Sequence, residues 1–378
     1  MQKKFFYITV FTMLFGMVLL VLITYVIDPQ QQFRYNENYV SGEQRNINFG
    51  LARNYDYNTV ILGTSTSENI LKAEVDNIFK VNSVNLSIMG STAYEQRNLL
   101  EIITNRKDVK MVIYGLDYFA YNFNFNEERI EIIDYGKKMN ILKYVFNISS
   151  LEMDLKILVK KLLGKNEKNW IYNWSYWGDD FDYGEEKTLD FSNKTKNGRQ
   201  NIGQLKVAQS KYNKENLYEN LYELEQLIIK NKDIKYKIYL PPYSTLYWYI
   251  LKKYNSYSDI IEFRNYLIKK LLRYSNVEIY DFQTDDIIVS NLNNYKDSIH
   301  YSPKINSLII KRIKENKNKV EKLIDKESII ENLIEKSYLL VSVFFILRVL
   351  TAYIIVKFII VKSSILSFLL GASVEKNN

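Results

Sequence analysis

The sequence of 378 residues has no cysteine and only one histidine, His300. Without cysteine the chain can form no disulfide, no thiolate metal site and no cysteine nucleophile. A single imidazole also excludes zinc or di-iron sites built on several histidines, although a Mg²⁺ or Ca²⁺ site made of carboxylates stays open. We expect no metal or other cofactor. A protein that moves a proton near neutral pH would most simply use His300.

The charges are unequal in number but are not grouped. The chain has 51 basic and 43 acidic residues, a net charge of +8, and the basic excess is spread along it. Such a surface suits anionic lipid or an anionic polymer better than base-specific contacts with nucleic acid. We therefore expect membrane lipid or a polymer as a partner, and no nucleic acid.

The chain begins with an apolar stretch that is long enough to cross a bilayer. Residues 5–27 are 23 residues without a charge, and they follow Lys3 and Lys4. The stretch lacks the Ala-x-Ala pattern of a cleaved signal peptide. It predicts an uncleaved anchor over residues 1–29, with the lysines in the cytoplasm and residues 30–325 outside.

A second apolar stretch lies in the C-terminal region, residues 326–378. We expect one returning span over 338–360, its end held inside by lysines, and then a short interfacial helix over 361–371. Two closely spaced membrane segments would fit the same run. Arg348 lies near the middle of the span, where a cation is costly. It either marks a partner-facing site or snorkels from a helix that lies on the membrane.

Strand-like and helix-like runs alternate between the two apolar stretches. The predicted strands cover 58–62, 81–86, 109–114, 236–240 and 277–280, and the predicted helices cover 67–79, 92–104, 205–230, 245–274 and 303–322. This alternation predicts an α/β fold of three layers, a mostly parallel sheet with helices on both faces and ligands beyond the carboxyl ends of its strands. Residues 121–203 lack the alternation and are predicted to form an inserted cap.

Asp297 precedes His300 by three residues. In a turn it could hold one ring nitrogen while the other faces a substrate, which is the orienter and base of a serine triad. A surface hydrogen bond between the two side chains would give the same pattern. The interpretation depends on a nucleophile elsewhere in the chain.

Ser65 is the candidate nucleophile. Gly63 ends the first predicted strand and allows a tight turn, so that Ser65 would open the following helix. Free backbone N–H groups at that position can stabilise an anion. The alternative is that Ser65 only caps the helix.

Two further strand ends carry candidate residues. Gly90 follows the second strand and is placed to bring a backbone N–H into the same crevice. Asp117 follows the third strand and points at the crevice if the strand is continuous. Ordinary loops show the same patterns, with Ser91 or Thr92 as a helix cap in the first case.

Together these pieces resemble, in type and order, the four sequence blocks of the SGNH (GDSL-like) hydrolase superfamily. The matching blocks are Gly63-Thr64-Ser65, Gly90, Gly115-Leu116-Asp117 and Asp297-Ser298-Ile299-His300. The chain departs from the family at Thr64, where the first block has an acid, and at Asp117, where the third block has asparagine. An ionised Asp117 cannot donate a hydrogen bond to an oxyanion.

The resemblance implies a flavodoxin-like α/β fold and a triad in which Ser65 is the nucleophile, His300 the base and Asp297 its orienter. The backbone amides of Ser65 and Gly90 would hold the oxyanion. Asp117 would occupy the position of the family's third oxyanion donor, although an ionised carboxylate can only accept hydrogen bonds.

The anchored layout resembles membrane-bound members of that superfamily, the DltD-type proteins of teichoic-acid D-alanylation and the SGNH partners of alginate-type O-acetylation. It implies transfer of an acetyl or similar group onto or off a cell-surface polysaccharide or teichoic-acid-like polymer. The reaction would take place outside a bacterial cell membrane, with a multispanning acyltransferase (MBOAT-type) delivering the acyl group. The alternative is an inactive scaffold of the same fold that recruits the polymer to such a complex, and the change at Asp117 favours it.

The predicted cap is rich in aromatic residues. Trp170, Trp174 and Trp177 lie within eight residues of one another. Aromatic faces are platforms for sugar rings, so these residues are candidates for substrate binding. They could equally pack the cap onto the main domain.

Overall fold

The computed structural model describes residues 2–35, 44–124, 141–163, 176–189, 212–322 and 327–374. Its strands are β1 Thr59–Leu62, β2 Ser83–Asn85, β3 Met111–Gly115, β4 Lys235–Leu240 and β5 Val277–Asp281. Its helices are α1 Gln2–Ile27, α2 Gln44–Asn54, α3 Lys72–Phe79, α4 Ala93–Thr104, α5 Tyr118–Tyr121, α6 Ile141–Val145, α7 Ile148–Leu162, α8 Glu185–Leu189, α9 Lys214–Lys230, α10 Thr245–Lys253, α11 Tyr257–Leu271, α12 Asp286–Val289, α13 Pro303–Lys314 and α14 Glu327–Val374. Single 3₁₀ turns lie at Gly178–Asp180 and Leu292–Asn294.

The strands form one parallel sheet in the order β2-β1-β3-β4-β5. Each predicted strand is present, with ends that differ from the prediction by at most two residues. The α/β prediction is therefore confirmed at this level. The chain steps from β1 to one side for β2 and to the other side for β3, so the crevice where parallel sheets bind ligands lies beside the end of β1.

Neighbouring residues of a strand point to opposite faces of the sheet, and each face has its own core. Val60 and Leu62 belong to the core formed with α2, α4, α9, α10 and α11. Ile61 and Ile113 belong to the core formed with α3, α12 and α13. The sheet is thus covered by helices on both faces, which gives the predicted three layers.

Four of the predicted helices have clearly different bounds, and three of them lie before the last strand. The helix predicted over 67–79 begins only at Lys72, because hydrogen-bonded turns occupy residues 65–69. The helix predicted over 245–274 is divided into α10 and α11, and Asn255 between them has a φ of 59°. The helix predicted over 205–230 begins at Lys214, and residues 205–211 lie outside the described part.

The helix predicted over 303–322 ends at Lys314. Asn316 and Asn318 have φ values of 56° and 60°, a left-handed conformation that asparagine tolerates and that ends a helix. The chain then turns back, and Lys319 forms an antiparallel bridge with Tyr280 at the edge of the sheet. The predicted helix was therefore too long, because the last residues of the run pair with the edge of the sheet instead of continuing the helix.

Two helices are long and apolar enough to cross a membrane, the 26 residues of α1 and the 31 residues Ile329–Ile359 of α14. The predicted break after residue 360 is wrong, because α14 continues without interruption to Val374. The first turns of α14 are fixed to the domain, since Ile330, Leu333 and Ile334 are buried. Arg348 is exposed on the same helix, with its guanidinium 4.6 Å from the ring centre of Phe344.

The predicted cap, 121–203, is described only in part. Residues 141–163 form α6 and α7, which contact α1. Residues 176–189, which include Trp177 and α8, lie beside the carboxyl end of the sheet. Trp170 and Trp174 lie outside the described residues.

Candidate active site

The segment after β1, residues 64–70, is here called the serine turn. It lies close to the sheet because Ser67 inserts its side chain between the ends of β1 and β3, where its hydroxyl is 2.7 Å from the hydroxyl of Tyr239. A Cβ atom added to Gly63 or to Gly115 would overlap the Ser67 hydroxyl. The two glycines of the sequence pattern therefore provide the space that the serine turn needs.

Asp117 fixes the serine turn from the end of β3. One carboxylate oxygen accepts hydrogen bonds from the hydroxyls of Thr64 at 2.5 Å and Thr66 at 2.8 Å, and the other accepts one from Tyr243 at 2.6 Å. Burial raises the pKa of Asp117, and the three hydroxyl donors act against that rise. These contacts make Asp117 a support for the residues on either side of Ser65.

Two asparagines hold the backbone of the serine turn. The side-chain amide of Asn85, at the end of β2, donates to the carbonyl oxygens of Ser67 at 3.0 Å and Ile70 at 2.9 Å. The amide of Asn306, in α13, donates to the carbonyl oxygen of Thr66 at 2.9 Å. With Asp117 and Tyr239, these asparagines fasten the turn that carries Ser65 to four separate parts of the chain.

The segment from Tyr295 to Tyr301, here called the histidine loop, is closed by an antiparallel bridge between its two end residues. Within it, one oxygen of Asp297 accepts hydrogen bonds from the backbone N–H of Ile299 at 2.9 Å and of His300 at 2.8 Å. The other oxygen lies 3.0 Å from Nδ1 of His300. A single carboxylate therefore shapes the loop and orients the imidazole.

The serine turn and the histidine loop meet at Ser65 and His300. The hydroxyl of Ser65 lies 2.7 Å from Nε2 of His300, although 235 positions separate them in the chain. Because Asp297 accepts from Nδ1, it favours the tautomer whose hydrogen is on Nδ1, and Nε2 is then free to accept the serine proton. The structure thus joins the three predicted triad residues into one chain of contacts.

Asp297 is suited to remain ionised in this position. Its burial acts to raise its pKa, but the charge and hydrogen bond of His300, with the charge of Lys296, outweigh burial and lower the pKa. An ionised carboxylate beside Nδ1 stabilises the imidazolium that forms when Nε2 takes a proton. The arrangement can therefore draw a proton from a serine hydroxyl.

The expected helix N-terminus at Ser65 is not present, because α3 begins only at Lys72. Ser65 lies instead in a turn. Within the described ranges, no backbone or side-chain atom accepts a hydrogen bond from the Ser65 N–H, so that this donor can serve a bound anion. Gly90 lies in the loop after β2 with a φ of 58°, and its carbonyl accepts a hydrogen bond from Arg45.

Trp177 packs against the candidate site. Its ring stands edge-to-face with the imidazole of His300, the ring centres being 5.4 Å apart, and its backbone N–H donates to the side chain of Asn69 at 3.0 Å. Only 9% of its surface is exposed. These contacts favour the interpretation that Trp177 packs the cap onto the main domain, and they do not favour its use as a platform for a sugar ring.

A buried charged pair beside Trp177 was missed by sequence reasoning. The ammonium of Lys296 lies 4.0 Å from the ring centre of Trp177, and the carboxyl of Glu68 is close enough to interact with both residues. Burial raises the pKa of Glu68 to about 7 and lowers that of Lys296 to about 8. Their places in the sequence could have indicated them, since Glu68 follows Ser65 by three residues and Lys296 directly precedes Asp297.

The site is nearly closed, with 7% of Ser65 and 8% of Asp297 exposed. In the part of the chain that the structure describes, no group of three or more histidine, aspartate or glutamate side chains could hold a metal ion. Neither a comparison with models of protein families nor a comparison with curated proteins finds a match to the chain.

Proposed function

We propose that the chain is a membrane-anchored serine acyltransferase or esterase of the SGNH (GDSL-like) type, acting outside a bacterial cell membrane on a cell-surface glycopolymer. The observation that carries the proposal is the contact series from Ser65 through His300 to Asp297, at the carboxyl end of a parallel sheet. In such a series the serine hydroxyl becomes a nucleophile because an oriented imidazole accepts its proton.

In the first step the Ser65 oxygen attacks the carbonyl carbon of an acyl ester or thioester while Nε2 of His300 takes the serine proton. Asp297 stabilises the imidazolium without accepting the proton. The tetrahedral intermediate then expels the alcohol or thiol of the donor, which receives the proton from His300. The product is an acyl ester on Ser65.

The negative oxygen of the tetrahedral intermediate needs hydrogen-bond donors. The N–H of Ser65 is the donor whose contacts support this role, because no described residue accepts from it. The family resemblance adds the N–H of Gly90. We assign Asp117 to holding the serine turn, through its three hydroxyl contacts, and not to the oxyanion.

In the second step a hydroxyl of the acceptor attacks the acyl ester, gives its proton to His300 and leaves acylated, and Ser65 recovers its proton. A polymer hydroxyl makes the chain a transferase, and water makes it an esterase. We favour transfer on the membrane layout, since two helices are long and apolar enough to span a membrane. A multispanning acyltransferase of the MBOAT type would supply the acyl group across the membrane that α1 and α14 are long enough to cross.

The proposal is tested by exposing the full chain, in its native membranes, to a fluorophosphonate and measuring the intact mass after purification. We expect one adduct on the wild type, none on Ser65→Ala and slower labelling of His300→Ala. Ser258→Ala is the matched control, because Ser258 is an exposed serine on α11 and its loss should leave the adduct in place.

The same experiment separates the enzyme from an inactive scaffold of the same fold. A scaffold needs no activated serine, so the wild type would remain unlabelled under conditions that label a control serine esterase. An adduct that persists in Ser65→Ala would also contradict the proposal, since the reactive serine would then be another residue.

A further inference from the structure

Helix α7 is fixed to the last turns of α1. One side of α7 is buried, and its buried residues include Ser150, Asp154 and Ile157. The carboxylate of Asp154 accepts a hydrogen bond from the hydroxyl of Thr24, in the last turn of α1, at 2.6 Å. α7 therefore lies directly beside the point where α1 enters the domain.

The opposite side of α7 exposes large apolar side chains. Leu155, Val159 and Leu162 follow one another at the spacing of a single helix face, and 57%, 52% and 78% of their surfaces are exposed. Leu163, directly after the helix, is 66% exposed. A row of this kind on the outside of a domain marks an interaction surface.

Lysines border this apolar row. Lys156 and Lys160 are exposed on α7, next in angle to Val159 and Leu163. Lys156 also forms an ion pair with Glu152 at 2.7 Å on the surface of the helix. Apolar residues bordered by lysine are the pattern of a helix that lies in the interface of an anionic membrane.

Helix α6 repeats the arrangement in a shorter form. Leu142 and Phe146 are exposed by 69% and 44%, one helical turn apart. Between them, the buried Tyr144 donates a hydrogen bond to Asp28 at 2.9 Å, directly after the end of α1. Both helices therefore use a buried polar contact to α1 or its end and leave apolar residues outside.

We infer that α6 and α7 form a hairpin that lies in the outer interface of the bilayer crossed by α1, with Leu155, Val159 and Leu162 among the lipid chains and Lys156 and Lys160 at anionic headgroups. The inference rests on the membrane anchor of the proposed function.

Lipid is the occupant because the apolar row continues a surface of the same kind. Leu22 and Val26, in the last turns of α1, are 53% and 61% exposed, and they flank Thr24, whose hydroxyl binds Asp154 of α7. The hairpin would hold the sheet domain at a fixed height and tilt above the membrane, where a membrane partner can reach it.

The absence of cysteine makes the test simple, because each introduced cysteine is the only thiol. Spin labels are placed in the full chain through Leu155→Cys, Val159→Cys or Leu162→Cys, and the protein is reconstituted into vesicles of phosphatidylethanolamine and phosphatidylglycerol. Collision rates with oxygen, which concentrates in lipid, and with a water-soluble nickel chelate are then measured. Each variant is first checked for the native melting temperature.

Two reference positions calibrate the measurement. Leu14→Cys lies in the middle of α1 and reports lipid, and Tyr222→Cys lies on α9, where 55% of the tyrosine is exposed, and reports water. We expect the three α7 labels to resemble Leu14→Cys, with an oxygen-to-nickel ratio several-fold above that of Tyr222→Cys. Lys156→Cys and Lys160→Cys, at the border of the row, should give intermediate ratios.

A water-like ratio at the α7 positions with a lipid-like ratio at Leu14→Cys would overturn the inference and leave the anchor intact. A water-like ratio at Leu14→Cys as well would overturn the anchor itself. Spin–spin broadening at Leu155→Cys that disappears on dilution with unlabelled protein would assign the row to a second copy of the chain, and would also overturn the inference.

Discussion

The serine turn and the histidine loop supply the two halves of the candidate site, and they are held in different ways. The serine turn is fastened from outside, by Asn85, Asp117, Tyr239 and Asn306, which come from four other parts of the chain. The histidine loop also has contacts from outside, since Ser244 donates to the carbonyl of Ser298 and Thr188 donates to that of Tyr295. Its imidazole, however, is held from within, because Asp297 binds both the loop backbone and the ring.

The difference predicts how each half responds to damage. Several independent contacts hold the serine turn, so the loss of one leaves the others in place. In the histidine loop a single carboxylate orients the imidazole, so a change at Asp297 reaches the ring directly. The loop should therefore be the more sensitive half.

The largest effect is expected from Asp297→Asn. The amide can still accept the backbone hydrogen bonds, but its NH₂ group favours the tautomer with hydrogen on Nε2, which cannot take the serine proton. We expect the rate of fluorophosphonate labelling to fall by about 10⁴-fold, as kcat does for the equivalent change in serine proteases. Asp233→Asn, on an exposed turn, is the control, and equal rates for both variants would remove Asp297 from the triad.

Glu68 connects the two halves, because it belongs to the serine turn and interacts with Lys296 of the histidine loop. Its pKa is raised from 4.5 to about 7, so between these values the folded state binds more protons than the unfolded state. The contribution of Glu68 to stability should therefore fall by about 3 kcal/mol as the pH rises from about 4.5 to 7, and stay constant above that.

The measurement is urea denaturation of wild type and Glu68→Gln, followed by tryptophan fluorescence at several pH values. Glutamine does not titrate, so the free energy of unfolding of the wild type minus that of the variant should decrease toward pH 7. A difference that is independent of pH would show that this carboxyl keeps its ordinary pKa in the folded chain.

The space under the serine turn is tested by Gly115→Ala. The new methyl group would overlap the hydroxyls of Ser67 and Tyr239, and overpacking of this kind costs about 1–3 kcal/mol. The melting temperature of the full chain should fall clearly. Gly16→Ala, where a Cβ meets no atom within 4 Å, should leave it almost unchanged. Equal melting temperatures for the two variants would mean that Ser67 does not occupy this space.

The smallest effect is expected from Tyr243→Phe. The change removes one of the three hydroxyl donors to Asp117 and leaves Thr64 and Thr66 in place. One hydrogen bond to a carboxylate contributes about 1.5–3 kcal/mol to stability. Because both threonine contacts remain, labelling of Ser65 should slow by less than about tenfold. A loss as large as that of Asp297→Asn would contradict the view that the turn has several independent supports.

The two halves of the site also differ in how well the sequence predicted them. The Asp297-x-x-His300 pattern is local, so its geometry follows from the spacing of two residues. Ser65 was found through the glycine that ends its strand. Asn306 and Tyr243 could not be found. Asn306 contacts the turn across 240 positions and Tyr243 contacts Asp117 across 126 positions, and both contacts depend on the order of the strands.

Element ends show the same limit. The five strands were predicted because buried strands read as short apolar runs. The end of α13 and the gap between α10 and α11 were missed, because single asparagines in left-handed conformations interrupt runs whose apolar pattern continues. The periodicity of apolar residues indicates which residues are buried. It does not indicate the backbone conformation of a single residue.

The central claim is that Asp297, His300 and Ser65 form one connected series, and NMR of the imidazole tests it most directly. Because His300 is the only histidine, the full chain labelled with ¹⁵N-histidine gives the signals of one ring. We predict the tautomer with hydrogen on Nδ1, a reversal of that tautomer in Asp297→Asn, and a change at Nε2 in Ser65→Ala. An imidazole that carries its hydrogen on Nε2, or that responds to neither substitution, would contradict the account.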